Sequence, residues 1–155
     1  MSSFFIFSAA MLFQGCTRNN GDIGPWFGMW QLMTVETDGV PDAGYESNIF
    51  WNFQNDVFSM NWRGTGAVEL PRVQVWGTWK EAGDDLILDF SHSDDRYPLF
   101  GEHSGVNIYA PYIQTHLPYG EASALRIVKM KGSDLILTYE PDEAGVVYTY
   151  ILKKR

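Results

Sequence analysis

The sequence predicts an all-β fold, an up-and-down antiparallel barrel of about eight strands with a long loop before the last three. Three observations lead there. Apolar and polar residues alternate with a period of two in run after run between residues 28 and 153. Short Gly, Asn and Asp clusters separate these runs. A sustained helical period is absent from the same stretch.

The first predicted strand is 28–36, with Trp30, Leu32 and Thr34 on one face and Met29, Met33 and Val35 on the other. Asp38-Gly39 ends it as a turn. The segment 48–54, NIFWNFQ, is the second, and Asn55-Asp56 is a hairpin break before the third, 57–62. There Phe58, Met60 and Trp62 alternate with Val57, Ser59 and Asn61. In 73–81, Val73, Val75, Gly77 and Trp79 share one side. Gly83-Asp84-Asp85 then turns the chain into 86–90. The last three strands, 124–130, 135–140 and 146–153, are joined by the polar connections 131–134 and 141–145. Between strands five and six, residues 91–123 hold Pro98, Pro111 and Pro118, so they form a long loop with at most a short helical turn. A loop of that length in a compact domain is commonly a lid or a binding loop. Sequential strands of this number expose two sheet edges unless the sheet closes, and closure removes them. The interior of so small a barrel is either filled by side chains or holds one small ligand.

One domain suits the length of 155 residues, and a hydrophobic fraction of 45% is ample for a core. The net charge of -8 and the pI near 4.7 argue against a nucleic-acid partner, which calls for a basic surface. Lys153, Lys154 and Arg155 form the one basic run and read as a solvated terminus.

Residues 1–15, MSSFFIFSAAMLFQG, carry an apolar stretch over 4–13. It matches the roughly 7–15 residue core of a secretion signal and is shorter than the roughly 20 residues of a membrane-spanning helix. Gly15 precedes Cys16, the single cysteine, and the polar run 17–22 follows. A lone cysteine forms no internal disulfide. This arrangement resembles the lipobox of bacterial lipoproteins, which implies cleavage before Cys16 and attachment of a lipid to it. The sequence departs from the usual lipobox in having Phe13 and Gln14 before Gly15, with Leu12 one place early, and no Lys or Arg precedes Cys16. The organisation expected is a signal peptide over 1–15, a polar tether over 16–25 and a barrel domain over 26–155. Thr17 follows the cysteine where an inner-membrane retention signal has Asp, which points to an outer-membrane lipoprotein facing the periplasm.

Within the barrel domain, Gly28-Met29-Trp30 matches the Gly-x-Trp signature at the start of the first strand of lipocalin-like barrels. Pro25-Trp26-Phe27 fits the short helical turn that closes their base. Gly77-Thr78-Trp79-Lys80 followed by Leu86-Ile87-Leu88, and the closing 148–153, resemble the strands of bacterial lipocalin-like lipoproteins. The resemblance covers about residues 25–153 and implies a lipocalin-type barrel with Gly28 and Trp30 as structural residues. In lipocalins an Arg from the last strand often covers that Trp. Here Lys153, Lys154 or Arg155 stands in its place.

No catalytic constellation emerges: there is no Gly-x-Ser-x-Gly elbow, phosphate loop or zinc spacing. His92, His103 and His116 lie near Asp89, Asp94, Asp95 and Glu102 without a compact ligand spacing, and no metal or cofactor is expected. Asp84-Asp85 and Asp94-Asp95 read as solvated turn acids. The strand aromatics, Trp51 and Phe53 among them, serve either core packing or a pocket, and both faces of each strand are candidates for the interior. For a pocket, Met60, Trp62, Val75 and Tyr150 are the candidate lining, with Tyr97, Phe100, Tyr109, Tyr112 and Tyr119 of the loop over its mouth. The functional expectation is a non-enzymatic binding protein for a small hydrophobic or aromatic ligand, held at the membrane through Cys16. The alternative is a filled barrel acting as a protein–protein module, an envelope sensor or enzyme inhibitor, through the loop 91–123.

Overall fold

The computed structural model describes residues 24–63, 74–91, 116–118, 121–141 and 145–155. They form β1 (Gly28–Thr37), β2 (Val40–Pro41), β3 (Ile49–Gln54), β4 (Val57–Trp62), β5 (Gln74–Ala82), β6 (Asp85–Asp89), β7 (Ala122–Lys131), β8 (Asp134–Tyr139) and β9 (Tyr148–Lys154). Every pairing is antiparallel, and β1, β3, β4, β5, β6, β7, β8 and β9 follow one another around the sheet. Pairing of β9 back onto β1, from Trp30 opposite Lys154 to Thr37 opposite Tyr148, closes the barrel. The expected eight-stranded barrel is therefore present. The two-residue β2 is an addition that the period-two reading missed, because Val40 and Pro41 are too short a run to show a period; they pair with Thr37 and Glu36.

The period-two residues point where burial requires. Ile49, Trp51 and Phe53 of β3 and Phe58 and Met60 of β4 are fully buried inside the barrel. In β1 the expected faces are corrected by a bulge. The register passes from Leu32 opposite Leu152 to Thr34 opposite Ile151, so Met33 is the extra residue. That insertion flips the parity and returns Val35, not Thr34, to the interior with Trp30 and Leu32. A second bulge, between Ile127 and Lys129, leaves Val128 58% exposed and brings Met130 back against the core behind Leu125 and Ile127.

The barrel has two unlike ends. At one, the strands are joined by two-residue hairpins, Asn55-Asp56, Gly83-Asp84 and Gly132-Ser133. Left-handed backbone at Asn55 (φ 49°) and Gly83 (φ 64°) suits the twist of such tight hairpins. The turn 24–26 lies across this end and buries Trp26. Trp26 Nε1 donates to Glu81 (2.8 Å), and its carbonyl accepts from Trp30 Nε1 (2.8 Å). From this plug a continuous aromatic stack rises into the barrel. Trp26 lies 5.2 Å from Phe53 and 5.6 Å from Trp79, Phe53 lies 4.9 Å from Phe58, and Phe58 lies 6.0 Å from Phe90. The other end carries the longer connections between β1 and β3, β4 and β5, β6 and β7, and β8 and β9.

The predicted signal 1–15, Cys16, most of the tether, Val73 and residues 92–115, 119 and 120 of the loop, with Tyr97, Phe100, Tyr109, Tyr112 and Tyr119, lie outside the described residues.

Candidate ligand-binding interior

The turn bearing Trp26 plugs the hairpin end, so the candidate site is the interior toward the end with the longer connections, the open end. Its wall is built by register. Met60 on β4 sits opposite Trp51 on β3 and opposite Val75 on β5. Trp51 reaches across to Tyr150, with ring centroids 5.5 Å apart. Trp62 continues the inward series of β4 one step nearer the rim, opposite Ile49, and is half-buried against the core. Of the four candidate lining residues, Met60, Val75 and Tyr150 are thus fully buried in one wall linked through Trp51, and Trp62 stands at its rim.

Two groups escaped the sequence reading because they arrive from loops. Tyr45 folds in from the β2–β3 connection. Its hydroxyl donates to the Leu32 carbonyl (2.7 Å) and accepts from the Ile49 amide (3.3 Å), and burial raises its pKa well above the usual phenol value. Segment 116–118 lies at the mouth. The His116 amide donates to the Tyr150 hydroxyl (3.2 Å), the His116 imidazole stacks on Tyr148 at 3.8 Å, and Leu117 is buried. The imidazole therefore packs as part of the mouth. Burial lowers its pKa, and the Asp42 carboxylate opposes that shift. The sequence carried no signal for this contact, since the 34 residues from His116 to Tyr150 include two hairpin connections.

The interior is largely apolar, and two of its polar atoms toward the open end stand out. Trp51 Nε1 and Ser123 Oγ are buried and have no hydrogen-bond partner among the described residues. Trp51 alternates with Ile49 and Phe53, and Ser123 with Leu125, which turns both toward the interior. Deeper down Trp79 Nε1 is likewise unpaired, as are Asn61 Oδ1 and Trp76 Nε1 on the outer faces of β4 and β5. An unpaired buried donor costs about 1–3 kcal/mol unless a ligand or water completes it.

Among the described residues no cluster of His, Cys, Asp and Glu could hold a metal ion. His92, His103, Asp94, Asp95 and Glu102 lie outside them. Asp84 and Asp85 share Arg126 (3.5 and 3.1 Å) on the surface. Asp89 accepts from the amide (2.8 Å) and hydroxyl (2.5 Å) of Ser91.

A closed barrel of this strand number, plugged at one end by a Trp-bearing turn beneath a Gly-x-Trp strand, has its match among known families: the lipocalin-like domain matches residues 11–144. The chain belongs to the lipocalin-like domain family. Solved structures agree on the fold. A lipocalin-like protein from Bacteroides uniformis is 18% identical, with a TM-score of 0.59 over 85% of this chain and 100% of that one. An uncharacterized protein from Bacteroides eggerthii is also 18% identical, with a TM-score of 0.61 over 84% of this chain and 99% of that one. No curated protein matches the sequence. Lipocalin-like barrels are in general architectures for holding small hydrophobic molecules, not catalytic ones.

Proposed function

We propose that this lipocalin-like protein is an envelope lipoprotein that holds one small hydrophobic or aromatic molecule in the open half of its barrel. The observation that carries the reading is the Trp51 indole N–H. It is set in a wall of Met60, Val75 and Tyr150 and has no partner among the described residues. An apolar pocket with few polar groups is the usual form of a small-molecule site. The ligand that fits it is a largely apolar molecule with one hydrogen-bond acceptor for Trp51 and, near the rim, a polar group for Ser123. Met60, Trp62, Val75 and Tyr150 supply the apolar contact, and segment 116–118 covers it. The apolar run 4–13, Gly15 and Cys16 support attachment by a lipid on Cys16, and Thr17 supports an outer-membrane address facing the periplasm.

A second reading has its own observation. The aromatic stack from Trp26 through Phe53 and Phe58 reaches Phe90, beyond the open-end terminus of β6. A barrel filled throughout would serve as a rigid base for the loop 91–123, acting on a protein partner as sensor or inhibitor.

Native mass spectrometry of the protein purified from its own host, before and after solvent delipidation, separates the two. An added mass of a few hundred daltons that delipidation removes, beyond that of a lipid on Cys16, is the expected result. A protein carrying nothing but its anchor overturns the ligand reading and supports the partner reading.

A further inference from the structure

The acidic composition conceals a segregated charge. Lys129 and Lys131 end β7, Lys153 and Lys154 end β9, and Arg155 follows. In the sequence the two groups are more than twenty residues apart. The fold brings them to one corner of the closed end, because β8 alone separates β7 from β9. Asp134 lies among them and is shared by Lys129 (2.9 Å) and Lys153 (3.5 Å); the other described carboxylates of this end, Asp56, Glu81, Asp84 and Asp85, lie toward β4, β5 and β6, with Asp84 and Asp85 held by Arg126. The open end has no such basic corner. Glu36, Asp38, Asp42, Glu46, Glu121 and Glu140 lie there, with Arg63 the one Lys or Arg among the described residues. Apolar side chains accompany the cations: Val128 precedes Lys129 and is 58% exposed, and Phe27, next to the Pro25 carbonyl that Lys154 holds, is 41% exposed.

We infer that this corner of the closed end, Lys129, Lys131, Lys153, Lys154 and Arg155 with Phe27 and Val128, is a contact surface for the anionic headgroups of a phospholipid bilayer. Clustered Lys and Arg beside exposed apolar side chains is the composition that binds such a surface, while the acidic open end is repelled from it. The described chain begins at Gly24, at this same end. Cys16 precedes Gly24 by eight residues, which reach roughly 30 Å at most when extended. Tether and patch then act together, one holding the barrel near the bilayer and the other fixing which end faces it. The mouth is directed away from the membrane, so a ligand is exchanged with the aqueous side and not drawn straight from the lipid. The inference takes from the proposed function only the lipid on Cys16.

The test uses the full chain with Cys16→Ser, so that no acyl chain contributes. Binding is measured by co-sedimentation with vesicles of phosphatidylcholine and with vesicles of equimolar phosphatidylcholine and phosphatidylglycerol. The expected result is binding to the anionic vesicles tighter by about tenfold or more, lost at high salt. It is also lost in the combined variant K129Q/K131Q/K153Q and kept in R63Q at the open end. K131E alone, at the exposed last residue of β7, reduces it by about threefold or more, and decides the matter should the combined variant misfold. Equal binding to both compositions overturns the inference, since the apolar leader then accounts for all of it. An anionic preference that survives the substitutions overturns it as well. Absence of lipid on Cys16 in the native protein would remove the anchor while leaving the vesicle result to stand or fall alone.

Discussion

Lys154 holds its ammonium 5.3 Å from the ring centroid of Trp30 and donates a 2.7 Å hydrogen bond to the Pro25 carbonyl. One side chain of the last strand thus ties together the Trp of the first strand and the turn that plugs the barrel. Of the three basic residues available, Lys154 takes this role because register sets it directly opposite Trp30. Arg155 continues past it, donating to Gln31, and Lys153 turns outward to Asp134. Lys154→Met keeps the aliphatic stem and removes the charge. We expect a loss of about 1–2 kcal/mol from the cation–π contact and the hydrogen bond. Urea denaturation should show a lower midpoint with an unchanged slope, and a midpoint equal to the wild type would dismiss the clamp.

Gly77 is required by proximity. A Cβ there would lie 2.5 Å from the Asp89 carbonyl oxygen and 3.0 Å from Phe90 Cδ1. The oxygen belongs to the neighbouring strand's backbone and cannot swing aside, and Phe90 is locked in the aromatic stack. Gly77→Ala should therefore destabilise by about 1–3 kcal/mol through overpacking, read by the same denaturation experiment.

These two positions mark what the sequence discloses. Strand content was legible because burial of one face imposes a period of two, as in Phe58, Met60 and Trp62. The base was legible because Gly28, Trp30 and Trp26 are close in the chain. The bulge at Met33 was not, because it is a property of how β1 meets β9. The one-residue insertion moved Val35 to the inside against the simple alternation. The choice of Lys154 over Lys153 and Arg155 depends on the same register. Tyr45 and His116 were hidden because loop residues carry no period, and the basic corner because net charge says nothing of position.

His116 gives the mouth a pH dependence. Burial against Tyr148 lowers its pKa below the ordinary 6.5, more than the Asp42 carboxylate raises it. The folded protein thus favours the neutral imidazole. Above pH 6.5 the residue is neutral in both folded and unfolded chains, and its full contribution is present. As pH falls from there through the lowered pKa, the unfolded chain takes up the proton first and stability declines. A stability profile between pH 6.5 and about 5.5, above the main carboxylate titrations, should slope downward toward acid in the wild type. His116→Gln should flatten it, and Asp42→Asn, which removes the opposing charge, should steepen it. A wild-type slope that persists in His116→Gln would assign the effect to another group.

Trp30 and Trp51 make a matched pair for testing the interior. Both are fully buried, both face inward, and they sit opposite each other on β1 and β3. Trp30 Nε1 is satisfied by the Trp26 carbonyl, whereas Trp51 Nε1 has no partner among the described residues. Substitution by Phe removes comparable volume at each site. At Trp30 it also breaks a hydrogen bond and strands an acceptor, while at Trp51 it removes a donor that was already unpaired. In the ligand-free protein, Trp30→Phe should therefore be the more damaging by about 1 kcal/mol or more. Ligand affinity should rank them the other way, because the Trp30 N–H is already held by Trp26 and the Trp51 N–H has no partner among the described residues. A natural ligand recovered from the host should bind Trp51→Phe about five- to tenfold more weakly, the worth of one hydrogen bond to a neutral acceptor. Trp30→Phe should change that affinity little. Titration by intrinsic fluorescence reads both variants. Equal affinities would mean that the Trp51 N–H is not used, and the ligand would then have to be held by apolar contact alone.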